Sequence, residues 1–267
     1  MKLQPIGGIV LRQWFLIRGS PVRMLPMFAW VAIDIVLWGF ITRYLNSVSL
    51  AGINFVSTLL GAVLLWDLFT RVMQGITTAF LEDVWSRNFL NLFATPLRIS
   101  EYVTGLVLTS LATSTVGLVT MLLLATVFFG LSYFALGAVL IPVLLVLSAF
   151  GIALGILASA LVLRLGPASE WLVWPLPALL SPFACVFYPL SVLPHWMRAV
   201  AYALPPSYVF EGMRTVLSGR VPPAAPLLYA TVLSFAYIVL AAYGFSRVYR
   251  YAVRRGLLAR YSAETVS

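Results

Sequence analysis

Of the 267 residues, 62% are hydrophobic and only 9% charged, with a mean hydropathy of +1.01, whereas a soluble domain carries about 25% charged residues; a water-soluble globule is excluded. The net charge of +9 would suggest nucleic acid in a soluble protein, but here it reads as positive charge that orients a membrane protein, and no nucleic-acid partner is expected. Cys185, His195 and Lys2 are each alone of their kind, which rules out an intramolecular disulfide and a cysteine-built metal cluster.

Residues 5–19 predict an amphipathic helix lying in the membrane interface. Ile6, Ile9, Val10, Trp14 and Ile17 share one face, Arg12 and Arg18 point away, and Gln13 interrupts the stripe. Arg12 breaks the apolar run and no small-residue cleavage site follows, so a cleaved secretory signal is not expected.

Six apolar spans follow, at 24–42, 53–76, 102–128, 134–162, 170–190 and 226–246; a crossing of a ~30 Å hydrocarbon core needs about 20 such residues. From residue 102 to residue 163 there is no charged side chain, enough for two crossings joined by a turn at Phe128-Phe129-Gly130-Leu131-Ser132-Tyr133. Asp34 falls in the first span, Asp67 and Arg71 in the second. An aspartate at mid-membrane costs about 2.5–3.5 kcal/mol on the insertion scale, so each needs a partner or water. Asp67 and Arg71 are spaced for an i,i+4 ion pair. That pair either braces the inner end of the second span or belongs to a pathway or gate. Asp34 either faces the pathway or bonds across to another span. In the fourth span Gly151, Gly155 and Ser159 form a small-xxx-small pattern, which suits close helix packing within the chain, with a dimer seam as the alternative. Pro175, Pro177 and Pro182 should kink or break the fifth span.

With the N-terminus cytoplasmic, the inner side holds 13 basic residues and the outer side four. Both termini are therefore expected inside, with an even number of crossings. Residues 191–217 are apolar but interrupted by His195, Arg198, Pro205, Pro206, Glu211 and Arg214; two short helices dipping into the outer leaflet are predicted rather than a span. No tandem repeat or low-complexity linker divides the chain, so residues 1–267 read as a single domain.

The inner connection at 82–96 predicts a helix. Glu82 and Asp83 would favour its N-terminus through the macrodipole, Trp85, Phe89, Leu92 and Phe93 recur at helical spacing, and Pro96 ends it. Such a helix either docks on a partner or lies on the membrane surface. A phosphate-binding loop needs a lysine after its glycine, and Lys2 cannot serve; the chain holds no ATPase site of its own. One histidine rules out an H-E-x-x-H metal site and leaves little room for a Ser-His-Asp triad. No enzyme activity is expected.

The stretch Phe89-Leu90-Asn91-Leu92-Phe93-Ala94-Thr95-Pro96-Leu97-Arg98-Ile99-Ser100-Glu101-Tyr102 resembles the coupling-helix region of type-2 ABC (ATP-binding cassette) transporter permeases. So does Phe187-Tyr188-Pro189-Leu190-Ser191-Val192-Leu193-Pro194-His195-Trp196-Met197-Arg198, continuing through Pro205 and Tyr208 to Glu211 and Arg214. The resemblance implies an all-α integral membrane fold with six transmembrane helices, a cytoplasmic coupling helix at 82–96 and an outer re-entrant region at 191–217 between spans five and six. It implies a permease of the bacterial inner membrane, with no cofactor of its own and ATP and Mg on a separate cytoplasmic ATPase subunit. A second permease copy would complete it. Glu82, Asp83, Trp85, Phe89, Leu92, Phe93 and Pro96 would couple to the ATPase. The short outer connections resemble permeases that export glycans, lipid-linked molecules or drugs. In one respect the chain departs from the family: Leu90 stands where a glutamate often lies. The alternative is an ion-coupled carrier with no ATPase, in which matching broken helices would recur in two halves; only the fifth span is proline-rich here.

Overall fold

The computed structural model describes residues 3–48, 56–86, 88–93, 95–131, 137 and 139–256. The chain runs α1 (Leu3–Arg18), α2 (Pro21–Val48), a π-helical turn at Val56–Leu60, α3 (Gly61–Trp85), α4 (Phe89–Phe93) and α5 (Ile99–Phe129). There follow α6 (Leu140–Leu165), α7 (Leu176–Leu180), α8 (His195–Tyr202), α9 (Pro205–Leu217) and α10 (Ala224–Arg254), with 3-10 turns at Pro167–Leu172 and Leu190–Val192. Among the described residues every regular element is helical.

Among the described residues five helices are long and apolar enough to cross a membrane: α2, the helix through α3, α5, α6 and α10. Their apolar runs leave water as helices because each backbone donor then finds its acceptor inside the segment. Serine and threonine hydroxyls are absorbed the same way: Thr109 donates to the Gly105 carbonyl at 2.9 Å and Thr113 to that of Thr109 at 3.1 Å. The start of α5 is fixed by a capping interaction, the Arg98 amide donating to Glu101 at 3.2 Å. Gly130, at φ 66, ends the helix in the left-handed conformation that glycine adopts without strain.

The bundle is built around α3. It packs on α5 and α6; α10 lies along α6, α2 along α5, and α1 crosses α5 and α2. Contact between α3 and α6 is close because Gly151 and Gly155 carry no Cβ: one added there would sit 2.9 Å from the Phe69 carbonyl oxygen and 2.8 Å from that of Met73. The small residues of the fourth predicted span thus serve packing within the chain. Ser110 donates to the Val72 carbonyl at 2.9 Å and ties α5 to α3. Large apolar side chains of α2 and α10, among them Phe28, Trp30, Ile33, Leu37, Phe40, Leu228, Val232 and Phe235, are exposed, as a lipid-facing surface requires.

One end of the bundle gathers the start of α2, the end of α3, the start of α5 and the ends of α6 and α10, through contacts of Arg23 with Glu82, Tyr102 with Asp83, and Phe93 with Tyr249. It is called here the basic end.

The expected span at 170–190 is not a continuous helix. It is a 3-10 turn, the five-residue α7 and a run of turns, because Pro175, Pro177 and Pro182 lack the amide donors that a helix needs. Val173 packs in the cluster of the basic half with Phe80, Tyr102 and Leu163, while Ala184 and Val186 pack in the opposite half with Leu65, Phe69 and Phe150. The broken segment therefore travels from one half of the core to the other.

A second correction concerns α1. Ile6, Ile9 and Gln13 are its buried residues, Ile9 meeting Gly105 of α5, whereas Trp14 and Phe15 are exposed. Two short helices, α8 and α9, occupy 195–217 as expected, and α9 buries Val209, Phe210 and Met213.

Candidate functional site

At the basic end, a carboxylate is buried where a helix least favours one. Asp83 is fully buried in the last turn of α3, at the negative end of the helix dipole. The Arg12 guanidinium offsets this by donating to both of its oxygens, at 3.1 Å to Oδ2. The buried Tyr102 hydroxyl also donates to Oδ2, at 2.7 Å. Arg12's own hydrogen bonding to Asp83 pushes its guanidinium up, so it stays charged. One turn-mate, Glu82, is held by Arg23 of α2 at 2.9 Å. Three residues thus join α1, α3 and α5, and a neighbouring pair adds α2.

The prediction that Glu82 and Asp83 open a loop helix is corrected. Apolar residues continue through 79–81 and Val84, so α3 runs on to Trp85, and the acids close that helix instead. The loop helix α4 has only five residues. Its Leu92 and Phe93 pack inward against the core of the basic half. The Phe93 ring lies 5.5 Å from that of Tyr102 and 5.5 Å from that of Tyr249 on α10. Trp85, 49% exposed, faces outward, as do Asn91 and Pro96. The side chain of Phe89 lies outside the described residues. Of the predicted coupling residues, then, Asp83, Leu92 and Phe93 look into the bundle, Glu82 is partly buried in its ion pair, and Trp85 and Pro96 look out.

A polar cleft of about 380 Å³ opens between α1, α2, α3 and α5, lined among others by Gln13, Trp30, Arg71, Gln74, Thr113 and Trp174. Arg71 donates to Asp67, as the four-residue spacing predicts. Asp34, on α2, lies within the electrostatic reach of Arg71. The structure therefore brings Asp34, Asp67 and Arg71 into one group, two carboxylates against one cation. Gly117 leaves room for it: a Cβ there would meet the Arg71 Cδ at 3.3 Å. Among the described residues the buried Gln13 Nε2 has no hydrogen-bond partner.

At the far end, the predicted residues bind the chain's own backbone. Arg214 donates to the carbonyls of Cys185 and, at 2.6 Å, Tyr188. The Leu190 amide donates to Glu211 at 2.5 Å. Arg198 donates to the carbonyls of Leu193 at 2.7 Å and Ser191 at 2.5 Å, and the Tyr208 hydroxyl to that of Tyr202 at 2.8 Å. Pro194 immediately precedes α8, and Pro205 opens α9, where a missing amide donor costs nothing. Cys185, at φ 56, adopts a left-handed backbone that costs a non-glycine residue about 1 kcal/mol, and Arg214 holds its carbonyl there. Burial pushes the Arg214 guanidinium down. These groups lace the broken segment to α9.

Sequence reasoning missed Arg12, Gln13, Arg23 and Tyr102 as site residues. The signal for the first two was present: polar residues interrupting the apolar pattern of α1 are the ones turned toward the protein.

A family model described as ABC-2 type transporter matches residues 9–218, from within α1 to the end of α9. No curated protein matches the chain.

Proposed function

Because the chain belongs to the ABC-2 type transporter family, we propose that it is the permease subunit of an exporter driven by a separate ATPase subunit at the basic end. The observation that carries this reading is the placement of α4. A movement imposed on α4 reaches α5 and α10 through Phe93, while Asp83, bound by Arg12 and Tyr102, ties the adjoining end of α3 to α1 and α5. A rigid junction of that kind transmits a small displacement to several helices at once, and alternating access requires such coupling.

In this reading both termini are cytoplasmic, the broken segment at 167–192 is the sixth crossing, and α8 and α9 lie in the outer leaflet. α1 rests on the inner interface through Trp14 and Phe15. ATP and Mg stay with the partner. Its closure would push α4, and Trp85 and the outer side of α4 are the surface it would meet.

The polar cleft supports an amphipathic cargo: hydroxyls, amides and Arg71, itself paired with Asp67, line it together with Trp30 of the exposed apolar side of α2. A second copy supports the same picture, since charged groups opening toward lipid are costly and a facing permease would cover them. Glycans, lipid-linked molecules and drug-like compounds all fit that description.

The test is a chain carrying Asn91→Cys, in which the native Cys185 is buried. A membrane-impermeant maleimide should label it only in inside-out vesicles, and the co-expressed ATPase subunit should shield it. Labelling from outside, or substrate flux driven by an ion gradient with no ATPase present, would overturn the reading.

A further inference from the structure

The apolar run of α10 gives way to Arg247, Arg250 and Arg254, whose three- and four-residue spacing stacks them on one face. Arg164, in the last turn of α6, meets that face from the neighbouring helix. With Val248 and Tyr251, the four arginines line a cleft of about 450 Å³, large enough for a small-molecule group. Among the described residues the ion pairs are made by Arg12, Arg23, Arg71 and Arg214, so Arg164, Arg247, Arg250 and Arg254 have no carboxylate partner there. Arg247 lies 5.5 Å from the centre of the Tyr243 ring, and Arg250 donates to the Ser246 carbonyl at 3.3 Å. Neither contact neutralises charge.

Four cations converging on one cleft repel each other until an anion joins them. Depth selects which anion. A crossing takes about 20 residues, and α10 has spent that length from Ala224 before Arg247 is reached, so the cleft lies at headgroup level. Val248 and Tyr251 give its wall apolar surface, and Leu165, next in sequence to Arg164, is exposed. Arginine forks match phosphate oxygens in geometry as well as charge, and basic pockets between transmembrane helices hold anionic headgroups.

We infer that this cleft binds the headgroup of an anionic glycerophospholipid, its phosphate held between Arg164 and the arginines of α10, its acyl chains along the apolar surface beside them. The inference needs only that the chain crosses a bilayer; it is independent of how the ATPase engages.

The test is native mass spectrometry of the full chain in detergent, titrated with phosphatidylglycerol, phosphatidylcholine or inorganic phosphate. Wild type should retain phosphatidylglycerol in preference to phosphatidylcholine. R164Q/R250Q should weaken that retention by about tenfold or more, and R247Q/R254Q should do the same should the first pair fail to fold. R220Q, at an exposed site of the opposite end, should behave as wild type. Equal retention of the two lipids, or unchanged retention in both double variants, would overturn the inference. So would displacement of the lipid by inorganic phosphate, which would make a soluble phosphate the ligand. Loss of ATPase co-purification with lipid retention intact would make the cleft a protein contact instead, and would overturn it as well.

Discussion

Arg12 grips both carboxylate oxygens of Asp83 across 71 residues of chain. The carboxylate is fully buried and the guanidinium side chain only a quarter exposed. Removing one partner from a buried pair leaves a charge with no compensation, at a cost of about 3 kcal/mol. Arg12→Ala should therefore lower the thermal midpoint of the purified protein, read from tryptophan fluorescence. Arg12→Ala with Asp83→Asn should recover much of the loss, since no charge is then stranded. An unchanged midpoint in Arg12→Ala would show that α1 is not pinned through this pair.

The two sides of the loop helix should respond differently to substitution. Trp85 and Asn91 face outward, so Trp85→Glu and Asn91→Glu should leave the midpoint in place while reducing co-purification of the ATPase subunit. Leu92 packs inward, and Leu92→Ala should cost about 2 kcal/mol of stability. Loss of the ATPase from Leu92→Ala at full stability, with Trp85→Glu silent, would reverse the assignment of the two faces.

Close packing between α3 and α6 gives a sharper expectation. A Cβ on Gly155 would lie 2.8 Å from the Met73 carbonyl oxygen, and a backbone atom cannot swing aside as a side chain can. Gly155→Ala should therefore destabilise the bundle by about 1–3 kcal/mol. A Cβ on Gly244, on α10, would among the described residues meet only Leu157 Cδ2, at 3.8 Å; there Gly→Ala should stabilise the helix by about 0.5–1 kcal/mol. Equal effects at the two glycines, measured as shifts in thermal midpoint, would contradict this account of the α3–α6 contact.

What could be read from the sequence was what is local. Long apolar runs foretold α2, α3, α5, α6 and α10, because a span is a property of its own residues. Asp67 and Arg71 pair as their spacing predicts, both lying on one helix. Asp34 could not be paired in advance, since the charge that acts on it sits on α3. Glu82 and Asp83 were misplaced for a related reason: acids favour a helix start by local electrostatics, but Arg12 and Arg23 reverse the preference from other helices. The fifth span was half legible. Its prolines announced a break, and its length still counted as a crossing. At 191–217 the interrupting charges foretold short helices, yet that Arg198, Glu211 and Arg214 would serve the backbone of the broken segment depends on a fold no pattern encodes.

Arg71 is the test of whether the polar cleft is a brace or a pathway. It balances Asp67 directly and Asp34 at longer range, and it lines the cleft with Gln13 and Gln74. Arg71→Gln strands two carboxylates and should cost about 3 kcal/mol, while Asp34→Asn alone should be mild because Asp67 still neutralises the arginine. The informative variant combines Arg71→Gln, Asp34→Asn and Asp67→Asn. With those three charges gone, the thermal midpoint should return toward wild type, since no carboxylate is left in need of a counter-ion. Transport should not return with it, because the cleft would have lost Arg71 and its Asp67 partner, and among the described residues lining it would keep only the charges of Arg23 and Glu82, which pair with each other. Recovery of transport together with stability in that triple variant would make the ion pair a brace, and the cleft would lose its claim to be part of the route.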